Sequence, residues 1–227
     1  MAVNIVEKID DLVPVKNVII SVSNKAGLEE LIPSLVELVP EVKIYSTGGT
    51  FQRIKEILGE KASKHLIQIS DYTGQPEMQG GLVKTLDWKI YLGLLSETYN
   101  PAHSQDLEKY QAVKFDLVIC NLYPFEQTIS RPDATPEQAR ANIDIGGPCM
   151  LRASAKNFIR LCPIVDPADY PTLLQELKAN QGRLSLKFRY QMAGKAFEHT
   201  ARYDRAIADY FAKTDFEKVK LAYKEII

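Results

Sequence analysis

The sequence is poor in the residues that mark disulfide-bonded and metal-binding proteins. It contains 3 cysteines and 3 histidines among 227 residues. Cys120, Cys149 and Cys162 are far apart and form no CxxC pair, which argues against a disulfide framework and favours reduced cytosolic thiols. No paired His/Cys spacing is present either, so we expect no metal site.

Net charge and long apolar runs are also lacking. The formal net charge of −1 gives no electrostatic reason to expect nucleic acid or a membrane surface as a partner. No apolar run approaches the roughly 20 residues of a membrane-spanning helix. The first residues, MAVNIVEKIDDLVP, lack the basic start and apolar centre of a secretory signal. With 45% hydrophobic and 25% charged residues, the composition is typical of a soluble globular protein, which we expect in the cytoplasm.

Short β-branched runs alternate with segments of helical periodicity along most of the chain. Strands are predicted at residues 16–22, 42–45, 66–69, 115–121 and 161–165. Helices are predicted at residues 27–39, 51–58, 166–178 and 185–212. This alternation predicts an α/β fold, in which a mostly parallel sheet lies between two layers of helices. We expect one domain over residues 1–227, with an N-terminal extension at 1–15 and a helical C-terminal part at 185–227.

Two junctions between a predicted strand and a predicted helix carry polar residues. Thr47-Gly48-Gly49-Thr50 offers glycines, backbone N–H groups and hydroxyls, which suit a phosphate but are also found in an ordinary turn. Ser21-Val22-Ser23-Asn24-Lys25 adds hydroxyls, an amide and an ammonium, although these residues could equally form a helix N-cap at Ser23 or Asn24 beside a solvated lysine. Because parallel strands end at one sheet edge, the two junctions together favour a phosphorylated small molecule.

Three further segments hold candidate side chains. Lys84 and Thr85 follow a glycine pair, and Asn121 ends the strongest predicted strand. Asp144 precedes a helix that Pro148 can begin, although an aspartate here could equally be a turn former. Further along that helix, Arg152 and Lys156 share a face and repel each other unless an anion joins them, the alternative being two solvated cations.

Seven segments, in order, carry a resemblance to a known family. They are SVSNKAGL, STGGT, PEMQGGLVKTL, CNLYPFEQT, NIDIGGP, LRASAKN and DPADY. The set resembles the IMP cyclohydrolase domain of the bifunctional enzyme that also carries an AICAR transformylase, whereas STGGT alone also suits the wider methylglyoxal-synthase-like fold. The resemblance implies a three-layer, Rossmann-like domain. No counterpart of the transformylase half is present, so we expect either a stand-alone cyclohydrolase or a fragment.

The resemblance implies dehydrative ring closure of 5-formamidoimidazole-4-carboxamide ribotide (FAICAR) to IMP, the last step of de novo purine biosynthesis, without a cofactor. It implies proton transfer by Lys156, with Lys84, Tyr123 and Asp144 around the reacting groups. The loops that contact nucleotide and phosphate would be formed by Ser23, Asn24, Lys25, Thr47, Gly48, Gly49 and Thr50. Other ligand-lining positions would be Thr85, Cys120, Asn121 and Ile145. A homodimer is plausible for this fold, and a separate enzyme would supply the formylated substrate.

The sequence departs from the family pattern in one place above all. Where the family usually reads GRVKTLHP, this chain has Leu82 for the arginine and Asp87-Trp88 for the His-Pro pair. Asn24 replaces the usual aspartate, a milder change. Loss of a guanidinium removes up to five donors, which keeps open a second reading, a non-catalytic module that binds a phosphorylated metabolite. Methylglyoxal synthase itself fits poorly, because NIDIGGP and RASAKN would then have no purpose.

Overall fold

A computed structural model describes residues 5–75 and 85–224. Five strands form one parallel sheet in the order β4-β3-β2-β5-β6. They are β2 (Asn17–Val22), β3 (Lys43–Ser46), β4 (Leu66–Gln68), β5 (Leu117–Asn121) and β6 (Cys162–Ile164). The predicted parallel sheet is therefore confirmed.

Helices cover both faces of this sheet. On the first face lie α1 (Leu28–Leu38), α2 (Gly48–Leu58) and α10 (Tyr170–Ala179). On the second lie α5 (Trp88–Leu95), α7 (Phe125–Ile129) and α9 (Gly146–Lys156). The remaining short helices are α3 (Ala62–His65), α4 (Ile69–Thr73), α6 (Pro101–Lys109), α8 (Pro136–Ala141) and α12 (Phe216–Leu221).

The period-two alternation of the central strand β2 explains the three layers. Val18 and Ile20 point into the core beneath α1 and α10, and Ile19, between them, points into the core beneath α5 and α9. All three are fully buried. A strand buried on both faces reads as a continuous apolar run, which is how the sequence predicted it.

The C-terminal part is dominated by α11 (Leu186–Lys213), a helix of 28 residues. It packs along α9 in the opposite direction, because Tyr203 bonds near the start of α9 and Arg189 bonds beyond its end. Two three-residue strands that the sequence did not predict, β1 (Leu12–Pro14) and β7 (Arg183–Ser185), pair antiparallel. The predicted N-terminal extension thus contributes a strand next to the start of α11.

One buried guanidinium joins the N-terminal segment, β7 and the connection that follows α9. Arg189 is fully buried and donates hydrogen bonds to five backbone carbonyls. These belong to Asp10, Asp11, Phe158, Ile159 and Leu184. A buried cation needs such acceptors, so Arg189 fixes the N-terminal segment against the α9–β6 connection.

Candidate active site

The loops after β2, β3 and β5 and the loop before α9 enclose a cavity of about 470 Å³ at the carboxyl edge of the sheet. This is the edge at which open parallel sheets bind ligands. Most of the residues predicted for the site line it. They are Ser23, Lys25, Thr47, Gly48, Gly49, Thr50, Thr85, Cys120, Asn121, Tyr123, Asp144 and Ile145.

One end of the cavity is built for an anion. Helix α2 begins at Gly48, directly after Thr47, so the first N–H groups of the helix lie at the cavity wall. Gly48 has a φ of 49°, a left-handed conformation that a side chain would strain. A Cβ built on Gly49 would lie 3.9 Å from the Lys25 ammonium nitrogen. The helix dipole and the ammonium therefore favour negative charge at the same point.

The hydroxyl of Thr50 serves the fold rather than a ligand. Its Oγ1 donates to the Val22 carbonyl at 3.0 Å and accepts the Val22 N–H at 3.2 Å. Ser46 Oγ likewise donates to the Ile20 carbonyl at 2.6 Å. The Thr50 bonds fix the start of α2 against the end of β2, and the Ser46 bond joins the end of β3 to β2. The Thr50 hydroxyl therefore has partners within the fold, and the contact of Thr50 with a ligand stays a prediction, although the residue lines the cavity.

Asn121 acts as a brace between two loops. Its Oδ1 accepts the Asn24 N–H at 2.8 Å and its Nδ2 donates to the Asn24 carbonyl at 3.0 Å. Asn24 also forms an Asx turn, because its Oδ1 accepts the Ala26 N–H. Asn24 faces a neighbouring cavity of about 600 Å³ instead of the first one. Both asparagines therefore shape the wall around Ser23 and Lys25.

The other end of the cavity carries a carboxyl group. Asp144 Oδ1 accepts the Gly147 N–H at 2.9 Å, and the two residues flank the start of α9 at Gly146. Burial raises the pKa of the Asp144 carboxyl, an effect that the N–H groups of Gly147 and Tyr123 oppose. This carboxyl therefore holds its proton to a higher pH than an exposed aspartate does.

Two glycines allow this close packing. A Cβ on Gly146 would lie 2.8 Å from Thr85 Oγ1, and one on Gly147 would lie 2.6 Å from Asp144 Oδ2. Helix α9 therefore begins at Gly146, two residues before the predicted start at Pro148. Its first turn, which has N–H groups free of helical partners, borders the cavity beside Asp144.

Lys156 does not line the cavity of its own chain. It is the last residue of α9, ten residues from Gly146, which is about 15 Å along the helix axis. Both Lys156 and Arg152 are exposed, and the Arg152 guanidinium lies 5.4 Å from the ring centre of Phe197. The role of Lys156 stays a prediction. Lys84 and Leu82 lie outside the described residues.

Asp87 and Trp88, which replace the family's His-Pro pair, have local structural roles. Asp87 is the N-cap of α5, and its Oδ1 accepts the Lys89 N–H at 2.7 Å. Trp88 is 64% exposed and packs edge-on against Tyr110 at 6.1 Å between ring centres. Neither lines the cavity.

Sequence reasoning missed cavity residues that fall on the correct face of a recognised element. Met150, one helical turn after Gly146, is one of them. Helical periodicity could have identified it. No described set of three or more His, Cys, Asp and Glu side chains could hold a metal ion, and no described helix is long and apolar enough to cross a membrane.

Comparison with known proteins identifies the family. The MGS-like domain model matches residues 27–149, more than half of the chain. The chain belongs to the MGS-like domain family. A second model, the AICARFT/IMPCHase bienzyme, matches residues 154–226 of this MGS-like chain. The resemblance predicted from the seven segments and the predicted α/β fold are both confirmed.

Individual relatives agree with this assignment. The MGS-like chain is 48% identical to the bifunctional purine biosynthesis protein PurH of Trichormus variabilis over 86% of its length, and to PurH of Streptococcus suis over 87%. It spans 38% and 37% of those two proteins. The crystal structure of ForH superposes with a TM-score of 0.72 at 31% identity, covering 87% of this chain and 99% of ForH.

Proposed function

We propose that this chain is an IMP cyclohydrolase that closes the ring of FAICAR to give IMP and water. The observation that carries the proposal is one cavity with an anion site at Lys25 and the start of α2, and with Asp144 and the start of α9 at its other end. A ribotide has the same two ends, a phosphate and a reacting heterocycle. The similarity to proteins named for purine biosynthesis supports the assignment.

Ring closure needs three contributions from the protein. The carboxamide nitrogen attacks the formyl carbon and loses a proton, and the resulting tetrahedral adduct then loses its oxygen as water. Asp144 is placed to exchange protons with these groups, because its raised pKa brings it closer to neutrality. The first N–H groups of α9 point their partial positive charge at the developing oxyanion. The phosphate site holds the ribotide so that the two reacting groups meet.

Lys156 can reach this chemistry only from a second copy of the chain. Four exposed residues, Ile145, Cys149, Arg152 and Lys156, recur every three or four positions and form one stripe along α9. If two copies pack this stripe antiparallel about a two-fold axis, Lys156 of each copy lies opposite Ile145 of the other. Ile145 lines the cavity next to Asp144. We therefore propose a homodimer in which each site receives a lysine from its partner.

The neighbouring surface suits such an interface. Tyr190 and Phe197, seven residues apart on α11, are exposed aromatic side chains beside the α9 stripe. Cys149 is the only exposed cysteine of the three. A bifunctional thiol reagent should join two chains through Cys149, and Cys149→Ser should abolish this cross-link. Monomers in sedimentation equilibrium at micromolar concentration would overturn the dimer.

The decisive test of the function is ultraviolet detection of IMP formed from the formylated ribotide. Turnover by the wild type and its loss in Asp144→Asn would support the cyclohydrolase. Tight IMP binding without turnover would favour the alternative, a regulatory module that binds a phosphorylated metabolite, for which the loss of the family's arginine at Leu82 is the argument.

Mixing two inactive variants tests the shared site. In a symmetric dimer, equal amounts of Asp144→Asn and Lys156→Ala chains give half heterodimers, each with one of its two sites intact. Recovery of about a quarter of wild-type activity is expected from this statistical arrangement. No recovery after verified subunit exchange would mean that Asp144 and Lys156 do not act from different chains, and would overturn the shared site. We also propose that the protein is located in the cytoplasm and that a separate enzyme supplies its formylated substrate.

A further inference from the structure

A tyrosine of the C-terminal helix reaches the loop that carries Asp144. The Asp144 N–H donates to the Tyr203 hydroxyl at 2.9 Å, and that hydroxyl donates to the Asn142 carbonyl at 3.1 Å. One oxygen thus closes both ends of the segment from 142 to 144. These bonds join residues 59 and 61 positions apart in sequence, so they are tertiary contacts that the loop could not make alone.

The Tyr203 hydroxyl is well suited to this task. Burial raises the pKa of Tyr203 to about 12, so the phenol keeps its proton and remains able to donate at neutral pH. Its ring is buried and packs edge-on against Phe125 at 6.2 Å between ring centres. The ring position is fixed by this packing, so the hydroxyl is held where the loop needs it.

The segment that Tyr203 holds leads directly into the reacting end of the cavity. Asp144, Ile145 and Gly146 all line the cavity, and Asp144 bonds to Gly147 in the first turn of α9. A shift of this segment would move the carboxyl group and the N–H groups of that turn together. Tyr203 itself does not line the cavity; its ring borders the neighbouring one.

We propose that Tyr203 is a positioning residue for ring closure, which orients Asp144 and the first turn of α9 without touching the substrate. The inference rests on the proposed cyclohydrolase function. It makes part of α11, far along the chain from the phosphate site, a component of the catalytic unit.

Kinetics of Tyr203→Phe give the first test, with Tyr210→Phe as the matched control. Tyr210 lies on the same helix and packs against the same Phe125 ring at 5.8 Å, but its hydroxyl makes no hydrogen bond within the described residues. Because small misplacements of reacting groups are costly, we expect Tyr203→Phe to lower kcat about ten- to hundredfold. KM should change less than about twofold, since the phosphate site is untouched. Tyr210→Phe should match the wild type.

A double-mutant cycle separates positioning from general stability. If Tyr203 acts through Asp144, then Tyr203→Phe should lower the residual turnover of Asp144→Asn, measured at high enzyme concentration, by a much smaller factor than it lowers the turnover of the wild type. Equal slowing in both backgrounds, or a wild-type kcat in Tyr203→Phe, would overturn the proposal.

Hydrogen exchange tests the same contact without any activity. The Asp144 amide should exchange faster in Tyr203→Phe than in the wild type or in Tyr210→Phe, because it loses its acceptor. Unchanged exchange would overturn the positioning role even in an active enzyme. Faster exchange in a protein that makes no IMP would support the contact while overturning the proposed function. If Tyr203→Phe fails to fold, slow exchange of the Asp144 amide in the wild type sustains the contact, and fast exchange there refutes it.

Discussion

Adding one methyl group at Gly147 should displace the segment from 142 to 147 that carries Asp144, while α9 should still form. The Cβ of Gly147→Ala would lie 2.6 Å from Asp144 Oδ2 and 2.6 Å from Leu122 Cδ2. Carbon atoms pack comfortably at about 3.5–4.0 Å, so the carboxyl group or the buried leucine must move by about 1 Å. Asp144 is the less buried of the two, and its bond to the Gly147 N–H would be strained or lost.

The expected losses of stability and of activity can be estimated from this steric clash. Overpacking in a buried site costs about 1–3 kcal/mol, which corresponds to a melting temperature lower by roughly 2–12 °C for a chain of this length. A displacement of this order at the carboxyl group should lower kcat by about tenfold or more. Thermal melts and the ultraviolet assay measure the two effects on the same sample.

Gly194→Ala is the matched control. Gly194 lies within α11, is exposed, and has no neighbour within 4 Å of a built Cβ. Because alanine is favoured over glycine in helices by roughly 0.5–1 kcal/mol, this change should raise the melting temperature and leave kcat unchanged. A Gly147→Ala protein as stable and as active as the wild type would refute the reasoning.

Three further predictions concern ligand binding and proton transfer. Lys25→Ala should weaken IMP binding about tenfold or more in calorimetry, because a charge-assisted bond is worth about 1.5–3 kcal/mol, whereas Lys55→Ala on the exposed side of α2 should bind normally. The raised pKa of Asp144 means that kcat/KM should fall, as pH is lowered, at a pH above the ordinary carboxyl value of about 3.9; a pH–rate profile without such a limb, or one kept by Asp144→Asn, would contradict its role. Leu82→Arg, outside the described residues, should lower KM with little change in kcat if the lost guanidinium only held the ligand; an unimproved KM would exclude that account.

The end of the cavity at Lys25 and the start of α2 was predictable because its signals are local. A β-branched strand, a polar junction and a helical period follow one another within about 15 residues, and parallel strands bring such junctions to one edge. Thr47, Gly48, Gly49 and Lys25 were all found in this way. What the sequence could not give was the use of the Thr50 hydroxyl, because its acceptor is the Val22 carbonyl, 28 residues away.

The reacting end was harder to predict because it depends on contacts between distant segments. Nothing in the residues around Tyr203 indicates that its hydroxyl bonds to Asn142 and Asp144. Helical spacing correctly placed Arg152 and Lys156 on one exposed face. It did not indicate that ten residues of helix separate Lys156 from the cavity of its own chain. Helical periodicity gives the direction in which a side chain faces around the axis, and not its distance along the axis.

The buried hydrogen bonds of Arg189 have a consequence for the order in which parts of the domain can fold. Its guanidinium joins the Asp10 carbonyl across 179 positions, and β1 pairs with β7 across a similar span. During synthesis the N-terminal segment must therefore wait, without its partner strand, until nearly the whole domain has left the ribosome. Closing so long a loop costs entropy that later contacts repay. The two ends of the domain therefore become ordered together, and a chain shortened before β7 would leave β1 without its partner strand.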